Sequence, residues 1–275
     1  MFKRGLVQDH QLLDPQIKTL EREINLAKNI QTKLLNGERP KLENSEVLGI
    51  SIPARLIGGD YFDFYPLPNG KIRIVIGDVM GKGIPAAMLM ILTRGAFRTA
   101  AESTKGPGET LTAMNNALYR DLRILNSFVT VFCADWDSTT WTFSYASAGH
   151  SLPEVIRKDT TQFDIPSVRG IMLGGLPNQV YKEEKVTLAE GDLVFLYTDG
   201  IVEAVNKANE MYKVDRLKDV LRSVVSKNIK TIEETVIEDI KVFTEGLPQR
   251  DDITMVLLKI GKESSEISSY NAPLV

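Results

Sequence analysis

Cysteine and histidine are scarce in this chain of 275 residues, which contains one cysteine and two histidines. A single cysteine forms no disulfide within the chain, and a chain of this length can bury a core large enough to fold without disulfides or structural metals. Cys133 lies in the apolar run FVTVFCADW and is expected to be a buried strand residue. The lone cysteine favours a reducing, cytoplasmic location.

The sequence also lacks long apolar runs and any excess of basic residues. No run approaches the roughly 18 apolar residues that span a bilayer, and the N-terminal sequence MFKRGLVQDHQLLDPQ has no signal-type apolar core. The formal net charge is −3 and the pI is about 5.6. Because no basic stripe is present, nucleic acid is not expected as a partner. The composition, 43% hydrophobic and 25% charged, is that of a globular protein.

The N-terminal segment, residues 1–40, predicts one helix over residues 14–36. Asp14 is a suitable N-cap and Pro15 a suitable first helical residue, and Gly37 would end the helix. A segment of this kind, directly before the first strand, is expected to serve as a dimerisation or regulatory helix.

The predicted helix carries an apolar stripe with alternating spacings of three and four residues. Its members are Ile17, Leu20, Ile24, Ala27, Gln31 and Leu34. The spacing is typical of a short coiled coil, so we expect a partner helix, foremost from a second copy of the chain. The alternative is a helix packed on its own domain. The polar member, Gln31, would either restrict the register of the coiled coil or lie exposed where the stripe leaves the seam.

Residues 41–261 show strand patterns interrupted by two helix pairs. The helical patterns cover residues 84–103 and 108–122, then 213–226 and 231–245. Strand-like stretches lie before, between and after these pairs, and Asn69-Gly70 marks a hairpin turn. This order differs from the βαβα alternation of a parallel sheet, and it predicts an α+β fold with antiparallel sheets covered by helices. The polar residues 262–275 are expected to form a flexible tail.

Aspartates stand at several of the predicted strand boundaries, most of them beside a glycine. They are Asp60, Asp78, Asp199, Asp251 and Asp252. A single aspartate at a strand end is usually a turn residue. If the strand ends converge, however, the carboxylates repel one another and raise one another's pKa values.

Two divalent cations would remove this repulsion, since their charge of +4 balances four carboxylates. All candidate ligands are oxygen atoms, which suits Mg²⁺ or Mn²⁺ better than zinc. Two such ions about 3.5–4 Å apart can lower the pKa of a bound water and hold it in line with a phosphoryl group. The pattern therefore predicts a two-metal hydrolase of phosphate esters, with solvated turns as the alternative.

Five motifs occur in a characteristic order: GGDYFDF, GDVMGKGIPAAM, SAGH, YTDGIVEA and RDDITMVLLK. Together they resemble the SpoIIE/RsbU-like branch of the PPM-type, metal-dependent protein serine/threonine phosphatases, over about residues 22–260. The resemblance implies a central antiparallel β-sandwich flanked by helix pairs. It also implies hydrolysis of phosphoserine or phosphothreonine on a protein, by a water that a two-metal centre activates.

The resemblance assigns roles motif by motif. Asp78 matches the ligand that bridges both cations and positions the nucleophilic water, and the backbone carbonyl of Val79 matches a neighbouring ligand. Asp60 matches a ligand of the second cation. Asp199 and Asp251 match the remaining ligands of the first cation.

Other residues close to these motifs have alternative roles. Asp252 stands where the wider family often has asparagine. It is expected to contact the ligands without contacting the cations themselves. Lys82 either offsets phosphate charge or is a solvated turn lysine, and Arg55 either contacts phosphate or is a surface strand residue. Met80 stands where the larger family often has a histidine that protonates the leaving group. The sequence therefore does not identify the group that donates this proton. His150 is expected to brace a strand end.

The resemblance also implies a substrate class. In this bacterial branch the usual substrate is a STAS-domain anti-sigma-factor antagonist, which captures an anti-sigma kinase once it is dephosphorylated. We therefore expect a cytoplasmic enzyme of a partner-switching pathway. The alternative from another class is a catalytically weak, phosphatase-like binding or signalling scaffold, which the loss of metal ligands would have supported.

Overall fold

Two antiparallel sheets form the centre of the protein, which we describe over residues 3–35, 40–159, 162–163 and 165–261 of a computed structural model. In spatial order, the first sheet contains β1 (Ser45–Ile52), β10 (Ile253–Ile260), β9 (Leu193–Tyr197), β6 (Glu154–Ile156) and β7 (Gln162–Phe163). The second sheet contains β2 (Tyr61–Pro66), β3 (Ile72–Val79), β4 (Val129–Asp137), β5 (Thr142–Ala148) and β8 (Glu184–Thr187).

The two sheets pack face to face around one apolar core. Val194 and Val256 of the first sheet and Ile74 and Phe132 of the second belong to this core. β2 and β3 form the predicted hairpin, joined by a 3₁₀ turn at Pro68–Gly70. Cys133 is fully buried on β4, as predicted from its apolar surroundings.

A helix pair covers the outer face of each sheet. After α1 (Lys3–Leu35), the helices are α2 (Ile84–Ser103), α3 (Pro107–Ile124), α4 (Asp199–Val202), α5 (Lys213–Val224) and α6 (Ile229–Thr244). α2 and α3 bury Phe97 and Leu118 against the second sheet, and α5 and α6 bury Leu221 and Val236 against the first. The predicted α+β sandwich flanked by helix pairs is thereby confirmed. No helix in the described residues is long and apolar enough to cross a membrane.

The N-terminal helix begins earlier than its sequence predicts. α1 starts at Lys3 and holds Pro15 in its interior, so the predicted start at Asp14 is wrong. An interior proline lacks the N–H that would bond the preceding turn, but the helix continues on both sides of it. Residues typical of a cap therefore do not by themselves determine where this helix begins. The predicted stop at Gly37 lies outside the described residues.

Among residues 15–35 of α1, whose burial the structure describes, the C-terminal end is the part that is buried against the sandwich. Gln31 is 6% exposed, and Leu35 packs against the core under α2 and α3. Ile17 and Leu20, by contrast, are 51% and 55% exposed. Gln31 is therefore not the exposed polar residue that one interpretation of the stripe predicted, because it is buried within the domain.

Candidate metal centre

Asp78 lies at the end of β3, where the strand leaves the sandwich. Its partner on β4 is Thr130, and Val79 is the last residue of the strand. Gly81 and Gly83 follow with φ angles of +101° and +72°, which glycine adopts without strain. These two glycines turn the chain sharply into α2 and leave Asp78 at the rim of the sheet.

Asp60 stands directly before β2 and is buried. The hydroxyl of Thr198 donates a hydrogen bond to Asp60 Oδ2 at 2.7 Å. The same hydroxyl oxygen accepts a bond from the backbone N–H of Thr254 at 3.1 Å. Since Thr198 follows β9 and Asp60 precedes β2, this contact joins the rims of the two sheets.

Asp199, Asp251 and Asp252 lie at adjacent strand ends of the first sheet. Asp199 follows β9 and begins α4, whereas the other two precede β10, which pairs with β9. A Cβ atom added to Gly200 would lie 1.9 Å from the backbone oxygen of Asp252. Only glycine permits this close approach, which explains why a glycine follows Asp199 in the motif YTDG.

We call the four acids Asp60, Asp78, Asp199 and Asp251 the acidic rim, and burial together with neighbouring carboxylates raises the pKa of three of them. Burial and then the charge of Asp78 raise the pKa of Asp60 well above its usual range. Burial raises the pKa of Asp78 to about 7, and the charges of Asp199 and Asp251 add to the rise. Burial and then the charge of Asp251 raise the pKa of Asp199. The acids therefore converge, and their joint ionisation is unfavourable without positive charge nearby.

Lys82 supplies positive charge to one member of the acidic rim. Its Nζ lies 2.6 Å from Asp251 Oδ2 and 2.6 Å from the backbone oxygen of Arg250. In the described part of the chain, no three acidic, cysteine or histidine side chains surround one point closely enough to form a ready-made cage. Because the ammonium group contacts Oδ2 of Asp251, an ion bound to that oxygen would take the place of the lysine.

Asp252 holds the loop that carries Asp60. Its Oδ1 accepts the N–H of Ala54 and its Oδ2 accepts the N–H of Gly59, each at 2.7 Å. A Cβ atom on Gly58 would lie 2.3 Å from Asp252 Oδ2, so the loop passes very close to this carboxylate. These contacts fit a residue that supports the ligands without contacting the cations, and that role stays a prediction.

Arg55 and Met80 are both exposed, and each lies close to the turn between β3 and α2. The guanidinium of Arg55 lies over Gly83, with Nη1 3.3 Å from the position of an added Cβ atom. Met80 is 42% exposed and lines a cavity of about 230 Å³ together with Asp78. Among the described residues, the lining of this cavity includes Lys82 but not Arg55. Phosphate contacts by Lys82 and Arg55 stay predictions.

His150 joins the strand ends that carry Asp78 and Asp199. Its Nδ1 lies 3.0 Å from Thr130 Oγ1, and its Nε2 lies 3.1 Å from the backbone oxygen of Tyr197. Because a carbonyl only accepts, Nε2 carries the proton and Nδ1 accepts from the threonine hydroxyl. Burial lowers the pKa of His150 to about 4, so the ring is neutral at pH 7. These contacts agree with the bracing role predicted from the sequence.

Three polar side chains near the acids were not expected at this site from the sequence. They are Thr130, Thr198 and Gln31, the last of which was expected on an apolar stripe. Thr198 stands within the motif YTDG, and that position is the one local signal that could have identified it. Thr130 and Gln31 come near the acids through strand register and helix docking, which local sequence patterns do not encode.

Sequence and structure comparisons match most of the chain to known proteins. The family described as Stage II sporulation protein E (SpoIIE) matches residues 68–261. Phosphoserine phosphatase RsbU of Bacillus subtilis (strain 168) is 30% identical over 256 residues, which are 92% of this chain and 74% of RsbU. Phosphoserine phosphatase RsbP of the same organism is 21% identical over 245 residues, which are 87% of this chain and 58% of RsbP.

A solved structure with the same fold is the SiaA-PP2C domain of Pseudomonas aeruginosa. It superposes with a TM-score of 0.74 and covers 90% of this chain and 99% of that domain. The sequence identity is 20%, so this likeness concerns the fold. The chain covers more of RsbU than of RsbP, which extends well beyond the matched part.

Proposed function

Because this chain belongs to the SpoIIE/RsbU-like branch of the PPM-type protein serine/threonine phosphatases, we propose that its acidic rim binds two divalent cations and that this centre dephosphorylates a protein. In the reaction, the oxygen of a water molecule bonds to phosphorus. The bond between phosphorus and the seryl or threonyl oxygen breaks, and that oxygen takes up a proton. The observation that carries the proposal is the cavity that Asp78, Asp199 and Asp251 line together, with Asp60 near enough for the charge of Asp78 to raise its pKa.

The donor atoms of the acidic rim suit Mg²⁺ or Mn²⁺. Its side chains offer carboxylate oxygens only, and these cations prefer oxygen ligands. In our assignment, Asp78 and the backbone oxygen of Val79 would serve both cations, Asp60 would hold the second cation, and Asp199 and Asp251 would hold the first. When bound, two such cations lower the pKa of a water and hold it in line with the phosphoryl group.

The surrounding residues would bind and orient the phosphate. Lys82 lines the cavity beside Asp78, so its ammonium group would be in place to pair with the phosphate dianion if Asp251 held a cation instead. Arg55 would contact the phosphate from the side of Gly83. The proton of the leaving oxygen would come from water, because Met80 has none to give and the Nε2–H of His150 is bonded to a carbonyl.

Phosphate release from a metal-stripped sample tests this function. After EDTA treatment and its removal, the chain should hydrolyse neither p-nitrophenyl phosphate nor a phosphoserine peptide, and Mn²⁺ or Mg²⁺ should restore both activities. Asp78→Asn should lower the restored activity by about 100-fold or more, since it removes the carboxylate assigned to both ions. The control is Asp121→Asn, at an exposed acid on α3. Full activity without metal would refute the two-metal centre.

The proposed substrate is a phosphorylated STAS-domain anti-sigma-factor antagonist of a bacterial partner-switching pathway in the cytoplasm. The family resemblance supports it, as does the identity of 30% to a protein named phosphoserine phosphatase RsbU. The test compares kcat/KM for a phosphorylated STAS-domain protein and for a phosphoserine peptide of unrelated sequence. We expect a preference of at least about tenfold for the STAS-domain protein. Equal values would reject this substrate class.

The pair between Lys82 and Asp251 favours a second candidate, a catalytically weak binding or signalling scaffold. In a scaffold the lysine would keep this carboxylate permanently, so added Mn²⁺ would produce no hydrolysis of p-nitrophenyl phosphate. The presence of all four assigned acids favours the enzyme. The metal-restoration assay separates the two candidates directly.

The chain is proposed to consist of a regulatory helix and a catalytic domain. Residues 1–40 would form the dimerisation or regulatory segment, and residues 41–261 the phosphatase domain. The exposed apolar side chains of Ile17 and Leu20 support a helix partner, foremost a second copy of the chain. The predicted tail, residues 262–275, lies outside the described residues.

A further inference from the structure

A second cavity, of about 460 Å³, lies beside the cavity that Asp78 lines, and we call it the flanking cavity. Lys82 and Asp251 line both cavities, so this ion pair stands at the boundary between them. The ammonium group of Lys82 also bonds the backbone oxygen of Arg250 at 2.6 Å, and Arg250 lines the flanking cavity. A protein chain with its phosphate at the acidic rim would therefore reach the flanking cavity within a few residues.

Three segments enclose the flanking cavity: a short hairpin after α4, the end of α6 and the loop before β10. In the hairpin, Val205 pairs with Met211. Lys207 of the same hairpin forms an ion pair with Glu245 at the end of α6. In the loop, Gln249 Nε2 donates to a backbone oxygen of β1 at 2.7 Å. Each side is thus tied to a neighbouring segment, and a preformed cavity costs less free energy to occupy than a loop that has to be ordered.

The floor of the flanking cavity is apolar. Val205, Ile240 and Ile253 line it and are buried, whereas Met211 adds an exposed apolar side chain. Besides the ion pair at the boundary, its charged lining residues are all exposed: Glu203, Lys241 and Arg250. Such a floor binds an apolar side chain better than a charged one, because a charge would lose its hydration there. The volume is in the range of roughly 300–1,000 Å³ that is typical of ligand sites, so an amino-acid side chain fits.

We propose that the flanking cavity is a specificity site for the phosphoprotein substrate, where it binds an apolar side chain close in sequence to the phosphoserine or phosphothreonine. The proposal rests on the function proposed above, because it requires phosphate at the acidic rim. An extended chain advances about 3.3 Å per residue and its side chains alternate in direction, so the bound side chain should lie within about three positions of the phosphorylated residue. p-Nitrophenyl phosphate has no such neighbour and does not use the cavity.

A series of peptides tests this site on the full-length wild-type chain with Mn²⁺. In the reference peptide, glycine and serine surround the phosphoserine. Each further peptide carries one leucine, at one of the three positions before or after the phosphoserine. At least one leucine should raise kcat/KM by about tenfold or more, and aspartate at the same position should not. If no leucine raises kcat/KM by more than about twofold, the proposal is overturned.

Filling the flanking cavity tests whether the leucine binds there. Thr244→Phe adds a ring at a lining position near the end of α6, and it should reduce the leucine preference to about twofold or less. Val242→Phe is the matched control, because it adds the same ring at an exposed position of α6 that does not line the cavity. The preference is the ratio of kcat/KM for the leucine peptide to that for the reference peptide, so a general loss of activity cancels. Thr244→Leu replaces Thr244→Phe if the latter does not fold.

The outcomes separate this site from the function on which it depends. If the wild type with Mn²⁺ hydrolyses neither p-nitrophenyl phosphate nor any peptide, both proposals are overturned. Hydrolysis of all peptides with equal kcat/KM overturns the specificity site alone. An equal leucine preference in the variants of Thr244 and Val242 also overturns it, since the leucine would then bind elsewhere. A preference that is lost only in the Thr244 variant supports the site.

Discussion

Lys82 and Asp251 form an ion pair across the acidic rim, with 2.6 Å between the ammonium nitrogen and Oδ2. Both side chains are 39% exposed, and an exposed pair of this kind contributes only about 0.2–1 kcal/mol. Since Asp251 is also assigned to a divalent cation, lysine and cation compete for one carboxylate. The lysine is the weaker competitor, because its single charge is partly solvated.

Replacing Lys82 by methionine should therefore tighten Mn²⁺ binding by about 1.4- to fivefold, the range that corresponds to the loss of such a pair. If the released ammonium also contacts phosphate, KM for p-nitrophenyl phosphate should rise in the same variant. Calorimetry and steady-state kinetics measure the two effects separately. Lys230→Met, which removes a lysine paired with Glu233 on α6, is the control. Unchanged or weaker Mn²⁺ binding in Lys82→Met would contradict the competition.

Gly200→Ala should disrupt the candidate metal centre. The added Cβ atom would lie 1.9 Å from the backbone oxygen of Asp252, so the turn before β10 must move. We expect a loss of about 2 kcal/mol or more in the free energy of unfolding, measured by urea denaturation, together with weaker Mn²⁺ binding. Gly95→Ala on α2 is the control, because its Cβ atom would meet nothing within 4 Å. It should stabilise the protein by about 0.5–1 kcal/mol. Equal effects of the two substitutions would show that the close approach at Gly200 does not matter.

The neutral state of His150 predicts a dependence of stability on pH. Burial lowers its pKa from 6.5 to about 4, so between these values the unfolded chain binds more protons than the folded one. The free energy of unfolding therefore decreases as the pH falls through this window. The contribution of His150 to this decrease is about 2 kcal/mol between pH 7 and pH 5.

Urea denaturation of wild type and His150→Gln at pH 7 and pH 5, both with EDTA, isolates this contribution. Asp78 and Asp199, which line a cavity with His150 and have raised pKa values, are present in both proteins, so their effect cancels in the comparison. The wild type should lose about 2 kcal/mol more than the variant over this range. Equal losses of unfolding free energy in the two proteins would mean that the folded chain does not keep His150 neutral over this pH range.

The helix pairs and the acids were predictable because each is encoded locally. The patterns over residues 213–226 and 231–245 correspond to helices Lys213–Val224 and Ile229–Thr244, since amphipathic spacing is repeated over several turns. The predicted start of α1 was wrong because the prediction depended on one possible cap, Asp14, followed by one proline. A signal of one or two residues is easily overridden by the surrounding helix.

The contacts around the acids could not be predicted because their partners are distant in sequence. Gln31 and Gly58 are 27 positions apart, and Lys82 and Asp251 are 169 positions apart. The sequence indicates that Gln31 is polar and lies on an apolar stripe, which fits a coiled-coil seam equally well. Only the packing of α1 against the loop before β2 shows that the amide is used within the domain.

The exposed part of α1 predicts self-association, which Leu20→Asp combined with Ile24→Asp should abolish. The helix has 33 residues, a length of about 50 Å at 1.5 Å per residue, and its buried end is occupied by the domain. The remaining apolar stripe offers only a short seam, so pairing should be weak and dependent on concentration. Sedimentation velocity at increasing concentration should show a shift toward dimer for the wild type and none for the double variant.

The matched control for this experiment places two carboxylates on the opposite face of the same helix, at Asn25→Asp and Asn29→Asp. It has the same spacing and charge, so it separates loss of an apolar seam from a general effect of charge on α1. If pairing regulates the domain, Leu20→Asp with Ile24→Asp should change turnover while Mn²⁺ affinity stays unchanged, because neither residue is assigned to the metal centre. A wild type that remains monomeric at every concentration, with the same turnover as the double variant, would leave α1 as a helix that serves its own domain alone.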